Sequence, residues 1–227
     1  MTYSALIDQA MPPTNRKWSS RPPGVRINGL IAHHQATTGL GGVARLVTSS
    51  NPASANYIIM SSGTLIGSVP EEYRAWTTGS FDADDDKITV EVQNSTASPT
   101  WEVSPAALAT LAALYADLSM RYGFPAARAH IFGHRDYAAT FCPGDYLYSR
   151  LDLVASTALA IQEENDMPSA KEVADAVWDE ELPVPPNLVD RFGERISMRR
   201  AMWATLSRAE ATLDAIEAHS TAADPGK

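Results

Sequence analysis

Residues 130–145 read HIFGHRDYAATFCPGD and place His134 eight positions before Cys142, the chain's one cysteine. Cys142 has no partner for an intramolecular disulfide, and Pro143 and Gly144 directly after it put it in a turn. Taken alone, such a thiol is more often an inert structural group. A nearby histidine changes that reading, because imidazole nitrogen and thiolate sulfur are ligands that zinc favours. A catalytic zinc site needs three protein ligands and one open position. Two are present in this stretch, so a third must come from elsewhere in the chain.

Residues 25–34, VRINGLIAHH, rise in apolar content and end in two histidines. That pattern predicts a buried strand delivering a polar group at its C-terminal end. His33 or His34 is the third ligand. Adjacent strand residues face opposite ways, so only one of the two can point at a metal.

The bulk numbers bound the rest. A chain of 227 residues accommodates one well-buried domain of roughly 150 residues with an extension. It carries 27 acidic against 18 basic residues, a net charge of -9, with no run of Lys or Arg, which argues against nucleic acid as a partner. The start, MTYSALIDQAMPPTNRKW, lacks the basic and apolar parts of a signal peptide, and no stretch reaches the ~18 apolar residues of a membrane span. The expectation is synthesis in the cytoplasm without membrane insertion.

In order along the chain, residues 11–24 hold Pro12, Pro13, Pro22, Pro23 and Gly24 and read as an extended lead-in wrapping the domain. GLGGVARLVTSS (39–50) predicts a short helix ended by Asn51-Pro52. ANYIIM and LIGSVP around SSGT predict a β-hairpin, expected beside the His33 strand. EEYRAWTTG (71–79) reads as an irregular loop, with Trp76 lining a groove or buried in the core. FDADDDK reads as an exposed acidic loop; it lacks the glycine and distal glutamate of an EF-hand, which sets calcium aside.

ITVEV (88–92) predicts a strand with Ile88, Val90 and Val92 on one face and Thr89, Glu91 and Gln93 on the other. A mid-strand carboxylate is costly to bury unpaired, so Glu91 faces either water at an edge or the site. The clearest helix starts at Ser104 as N-cap, with Pro105 at its first position and Gly123 as terminator. Leu108, Leu111, Ala112, Tyr115 and Leu118 form its apolar stripe. Residues 149–164 predict a closing helix. His130 reads as a core or edge histidine, Trp101 as core or groove, and Asp136 either accepts a loop amide or orients a ligand histidine.

This order of parts, IAHH, then SANYII…SSGTL…RAW, the glutamate strand, the long helix and GHRDYAATFCPG, resembles the zinc amidase superfamily. That superfamily includes the phage amidase-type lysozymes, bacterial N-acetylmuramoyl-L-alanine amidases and peptidoglycan recognition proteins. The resemblance spans roughly residues 20–160 and lies in the ordered combination, each piece alone being weak. It implies an α/β fold, a central mixed sheet flanked by helices. It also implies Zn2+ on His33, His134 and Cys142, with the metal polarising the scissile carbonyl and lowering the pKa of its water. Glu91 matches the strand glutamate that serves bacterial members as general base. Thr140 matches the position that stabilises the developing oxyanion.

Two departures stand out. Members with a tyrosine near the metal carry it eight residues before the hairpin glycine; counting back from Gly63 gives Ala55, with Tyr57 two residues off. Weight shifts to Glu91. The common Trp-His-Ala-Gly stretch reads Trp76-Thr77-Thr78-Gly79, so a histidine is missing and Thr77 is not given its role. Tyr57, Trp76 and His34 stand as substrate-binding candidates, with structural packing the other reading for His34.

The activity implied is hydrolysis of the amide between the lactyl group of N-acetylmuramic acid and L-alanine in peptidoglycan, in the manner of a phage endolysin released by a holin-like partner. Rival readings are a peptidoglycan-binding module that has lost catalysis and a zinc peptidase acting on the stem peptide. The first typically lacks the cysteine ligand, and no HExxH motif supports the second.

The catalytic domain is expected over 1–164. Residues 165–187 read as a short helix, with a capping box from Ser169 to Glu172, and a Pro-rich linker. Residues 188–227 read as an amphipathic helix in which Val189, Phe192, Ile196, Trp203, Leu206 and Leu213 approximate a heptad stripe, interrupted by Arg199 and Glu210. Such a helix is expected to dock on the domain or to form a homodimer.

Overall fold

The computed structural model describes residues 2–166, 181–183 and 195–197. The chain divides into two units, Met1–Asp166 and Met167–Lys227. The first holds strands β1 (Gln9–Ala10), β2 (Trp18–Ser20), β3 (Leu30–His34), β4 (Tyr57–Ile59), β5 (Leu65–Gly67), β6 (Tyr73–Ala75), β7 (Ile88–Val92) and β8 (Ile131–Gly133). Its helices are α1 (Gly41–Val47), α2 (Phe81–Asp85), α3 (Pro105–Tyr122), α4 (Asp145–Tyr148) and α5 (Leu151–Asp166).

Six strands form a mixed sheet in the order β1-β5-β4-β7-β3-β8, antiparallel only between β4 and β5. The hairpin is therefore beside β7, and β7 separates it from β3, where adjacency to β3 was expected. All five residues of β7 are buried, including Thr89 and Glu91, which is the signature of a central strand covered on both faces. A separate pair, β2 with β6, takes up part of the segment expected to be an irregular loop.

One face of the sheet carries Leu30, Ala32, Tyr57, Ile59, Ile88, Val90 and Val92 and packs under α3 and α5 in the main core. The helix α3 follows the sequence rules closely: the Ser104 hydroxyl accepts from Ala107 N, and Gly123 closes it at φ 73°. The opposite face carries Ile58 and Ile66, covered by Val43, Leu46 and Val47 of α1. Lys17, 2% exposed, donates from Nζ to the carbonyls of Arg45 (3.0 Å) and Leu46 (3.1 Å) and so caps the C-terminal end of α1.

The acidic stretch expected as an exposed loop is the helix α2. Ser80 caps it by accepting from Ala83 N, and Asp82 and Asp84 sit in the first turn, where the helix dipole favours negative charge. In the second unit, β9 (Glu181–Pro183) pairs antiparallel with β10 (Arg195–Ser197), with Leu182 opposite Ile196. Residues 195–197 thus interrupt the continuous helix expected from 188, and Pro183, which lacks an N–H, is tolerated because a two-stranded ribbon has only edges. The capping box and the remainder of the amphipathic stripe lie outside the described residues. Among the described residues, no helix is long and apolar enough to cross a membrane.

Candidate metal centre

The second sheet face carries the chemistry. His33 and Glu91 are register partners on the parallel strands β3 and β7, so alternation puts both side chains on the face away from α3. His34 emerges on the opposite face and meets the Trp101 ring edge-on at 5.8 Å. His134 opens the 3-10 turn that follows β8. Gly133 is required before it: a Cβ there would lie 2.7 Å from the Tyr148 ring and 2.8 Å from Pro143. Arg135 N donates to the Cys142 carbonyl at 2.9 Å, closing the loop that returns Cys142 to the end of β3. Asp136 accepts from Gly133 N (2.9 Å) and from the Tyr148 hydroxyl (2.6 Å), so it ties the loop rather than a ligand ring.

His33, His134 and Cys142 each offer a donor atom, all within 4.8 Å of one another. The His33 and His134 rings are 4.5 Å apart. Cys142 Sγ lies 3.5 Å from His33 Nδ1. Zinc bonds of roughly 2.3 Å to sulfur and 2.05 Å to nitrogen at a tetrahedral angle would set that edge at about 3.6 Å. His134 Nε2 is 3.0 Å from the Thr78 carbonyl, which only accepts. The ring proton is therefore on Nε2, and Nδ1 presents a bare lone pair. The Thr77-Thr78 backbone is itself anchored, Thr77 N at 3.1 Å and Thr78 N at 3.2 Å from the carboxylate of Asp84, a residue 4% exposed.

The electrostatics suit a cation. Burial, then the neighbouring His134, His34 and Arg45, lower the His33 pKa well below its ordinary value and keep it neutral. Burial likewise lowers His134. Burial and the charge of Glu91 push the Cys142 thiol up to about 12, so a thiolate here calls for a positive ion beside it. His33 Nε2 and Glu91 Oε2 are buried without hydrogen-bond partners among the described residues. Two neutral imidazoles, a cysteine and unsatisfied buried atoms fit a zinc site with an open position.

Glu91, 5% exposed, is pushed to about 7 by burial, partly offset by Arg45. Arg45 reaches Glu91 Oε1 at 3.5 Å from α1. Thr140 Oγ1 accepts from Cys142 N at 3.2 Å, which leaves its own O–H free to donate.

The other candidates sit apart from these. Tyr57 is fully buried in the main core, on the sheet face opposite Glu91, with its hydroxyl donating to Glu71 and accepting from Ser4 N. It does not line the site. Trp76 lines a groove of about 700 Å³ with Phe81, Arg74 and Pro52, and its Nε1 donates to Ser19 Oγ at 3.1 Å. His34 lines a smaller cavity of about 330 Å³ with Trp101, Phe141 and Arg135. Thr77 donates to the Ser54 carbonyl at 2.7 Å and meets Thr89 Oγ1, a structural role. Arg45 and Asp84 are the residues that the sequence did not reveal. Each acts across 46 or more positions of sequence, Arg45 on Glu91 and Asp84 on His134 by way of Thr78.

The N-acetylmuramoyl-L-alanine amidase family matches residues 23–145. The crystal structure of a selenomethionine derivative of AmpD aligns at 21% identity with TM-score 0.50, over 67% of this chain and 96% of that one. A mutant of PlyL aligns at 15% identity with TM-score 0.54 over 67% and 98%, and the PlyG catalytic domain at 14% with 0.51 over 71% and 97%. These likenesses show a shared fold. No curated protein sequence matches the chain. With more than half of its residues inside the family match, and with the mixed sheet and flanking helices of that fold, the chain belongs to the N-acetylmuramoyl-L-alanine amidase family.

Proposed function

We propose that the protein is a zinc-dependent hydrolase that cuts the amide joining the lactyl group of N-acetylmuramic acid to L-alanine of the peptidoglycan stem. The observation that carries this reading is the convergence of His33, His134 and Cys142 donor atoms within 4.8 Å on the sheet face that also carries Glu91. When bound, zinc supplies a Lewis acid for the carbonyl and lowers the pKa of the attacking water.

The protein's own groups do the rest. His33, His134 and Cys142 hold the ion, and the Thr78 carbonyl fixes the His134 tautomer so that Nδ1 is a ligand from the outset. Glu91 takes the proton of the attacking water and returns it to the departing alanine amine. Its carboxyl suits both steps, because burial raises its proton affinity toward neutral while Arg45 opposes full neutralisation. Thr140, its oxygen already occupied by Cys142 N, has its hydroxyl proton available for the oxyanion.

Purified peptidoglycan digested by wild type, by Cys142→Ala and by a chelated sample tests this by mass spectrometry of released products. New L-alanine amino termini that vanish in both controls are expected. Wall binding without cleavage would replace this reading with a recognition module, and cuts within the stem would replace it with a peptidase.

A further inference from the structure

Arg45 is held tightly at its backbone and loosely at its tip. Its carbonyl accepts from Lys17 Nζ at 3.0 Å and from Ser49 Oγ at 2.7 Å, so the last turn of α1 is fixed. The side chain is 42% exposed, and its one ionic contact among the described residues is Glu91 Oε1 at 3.5 Å, beyond good hydrogen-bond length. No hydrogen bond to another group engages any of its five N–H donors among the described residues. Two other arginines of this domain are spent: Arg21 donates four hydrogen bonds to backbone carbonyls, and Arg121 grips Glu71 with two nitrogens. Arg45 is also close enough to the centre to bear on His33, His34, Glu91 and Cys142 alike.

A guanidinium with open donors on a fixed backbone, beside a site on a protein of net charge -9, suits a planar anion. Glu91 alone uses little of it. We infer that Arg45 reads a carboxylate on the peptide side of the substrate, close to the scissile amide, and so biases the enzyme toward acidic stem peptides over their amidated counterparts. This rests on the amidase reading above for the position of the peptide. Inside the site the fork keeps one edge toward Glu91 and offers the other to the substrate carboxylate.

Two soluble probes test it: N-acetylmuramoyl-L-alanyl-D-glutamate with a free α-carboxylate, and the same molecule with that group as a carboxamide. The zinc-loaded wild type, Arg45→Met and Arg45→Lys are compared, by kcat/KM where the probes are cut and by calorimetric Kd where they are not. Wild type is expected to favour the carboxylate by about tenfold, the preference shrinking with added salt. Arg45→Met should treat the two alike, and Arg45→Lys should keep part of the preference. A wild type that does not distinguish the probes overturns the inference, and this comparison holds even if a variant fails to fold. So does an Arg45→Met loss equal on both probes, which would assign Arg45 to Glu91 alone. Preferential binding with no cleavage of either probe would sustain Arg45 as the selector and overturn the amidase reading; cleavage without preference would do the reverse.

Discussion

His33 and Glu91 are directly paired across the parallel strands β3 and β7, so one ligand and the carboxyl assigned as base are set by the same sheet register. A slip of one residue in either strand would move its group to the α3 face. The proposed site thus rests on two buried central strands, with Cys142, Thr140 and His134 supplied by connecting segments.

Glu91→Gln separates proton transfer from metal binding. Gln keeps the shape and the burial but cannot take a proton, so kcat should fall by about 10²–10⁴-fold while bound zinc stays near one per chain. Activity assays with metal analysis on the same sample check this. Loss of zinc together with activity would make Glu91 part of the metal's support instead.

Glu91 also gives the metal-free protein a pH signature. Its carboxyl rises from 4.5 unfolded to about 7 folded, so the folded state holds the proton more tightly. Its stabilising contribution is full below pH 4.5 and lost as pH rises through about 7, amounting at most to about 3 kcal/mol. His33 and His134, with lowered pKa values, act oppositely below 6.5. The difference between wild type and Glu91→Gln isolates the carboxyl: in urea unfolding with chelator, the variant should gain on wild type between pH 5 and 8. A constant difference across that range would contradict the burial of Glu91.

Much of this is legible in the sequence. The caps of α3, the alternation in β7 and the His134 to Cys142 interval are local patterns, and local patterns survive folding. The acidic stretch misled because Asp82 and Asp84 look like solvated charges in sequence, although a Ser80 cap turns them into a first helical turn with Asp84 buried. The hairpin's place beside β7 is a long-range pairing that no short window contains. Arg45 gave no signal, since its partner lies 46 residues on and the stretch that holds it, GLGGVARLVTSS, reads only as a short helix.

Tyr57 tests the distinction between core and site. Tyr57→Phe removes its hydrogen bonds to Glu71 and Ser4 inside the core and leaves the ring in place. Stability should drop by about 1–2 kcal/mol, with the Ser4 amide and Glu71 left short of a partner. kcat/KM should stay within about twofold of wild type, because nothing of Tyr57 reaches the Glu91 face. A tenfold fall in kcat/KM with unchanged Tm would return Tyr57 to the substrate site.

Asp84 tests whether the metal site depends on groups behind its ligands. Its carboxylate accepts from Thr77 N and Thr78 N, and the Thr78 carbonyl in turn receives the Nε2–H of His134 at 3.0 Å. With Ala at 84 both amides lose their buried acceptor, the 77–78 turn relaxes, and the His134 ring loses its fixed tautomer and direction. Zinc affinity, measured by chelator competition, should fall about 10–100-fold, in the range found for supporting groups behind metal ligands. Asp84→Asn retains one acceptor oxygen and should lose less. The order wild type, Asn, Ala is the diagnostic result. If the Ala variant binds zinc as tightly as wild type while its Tm falls, Asp84 supports the α2 region alone and His134 is oriented by its own loop.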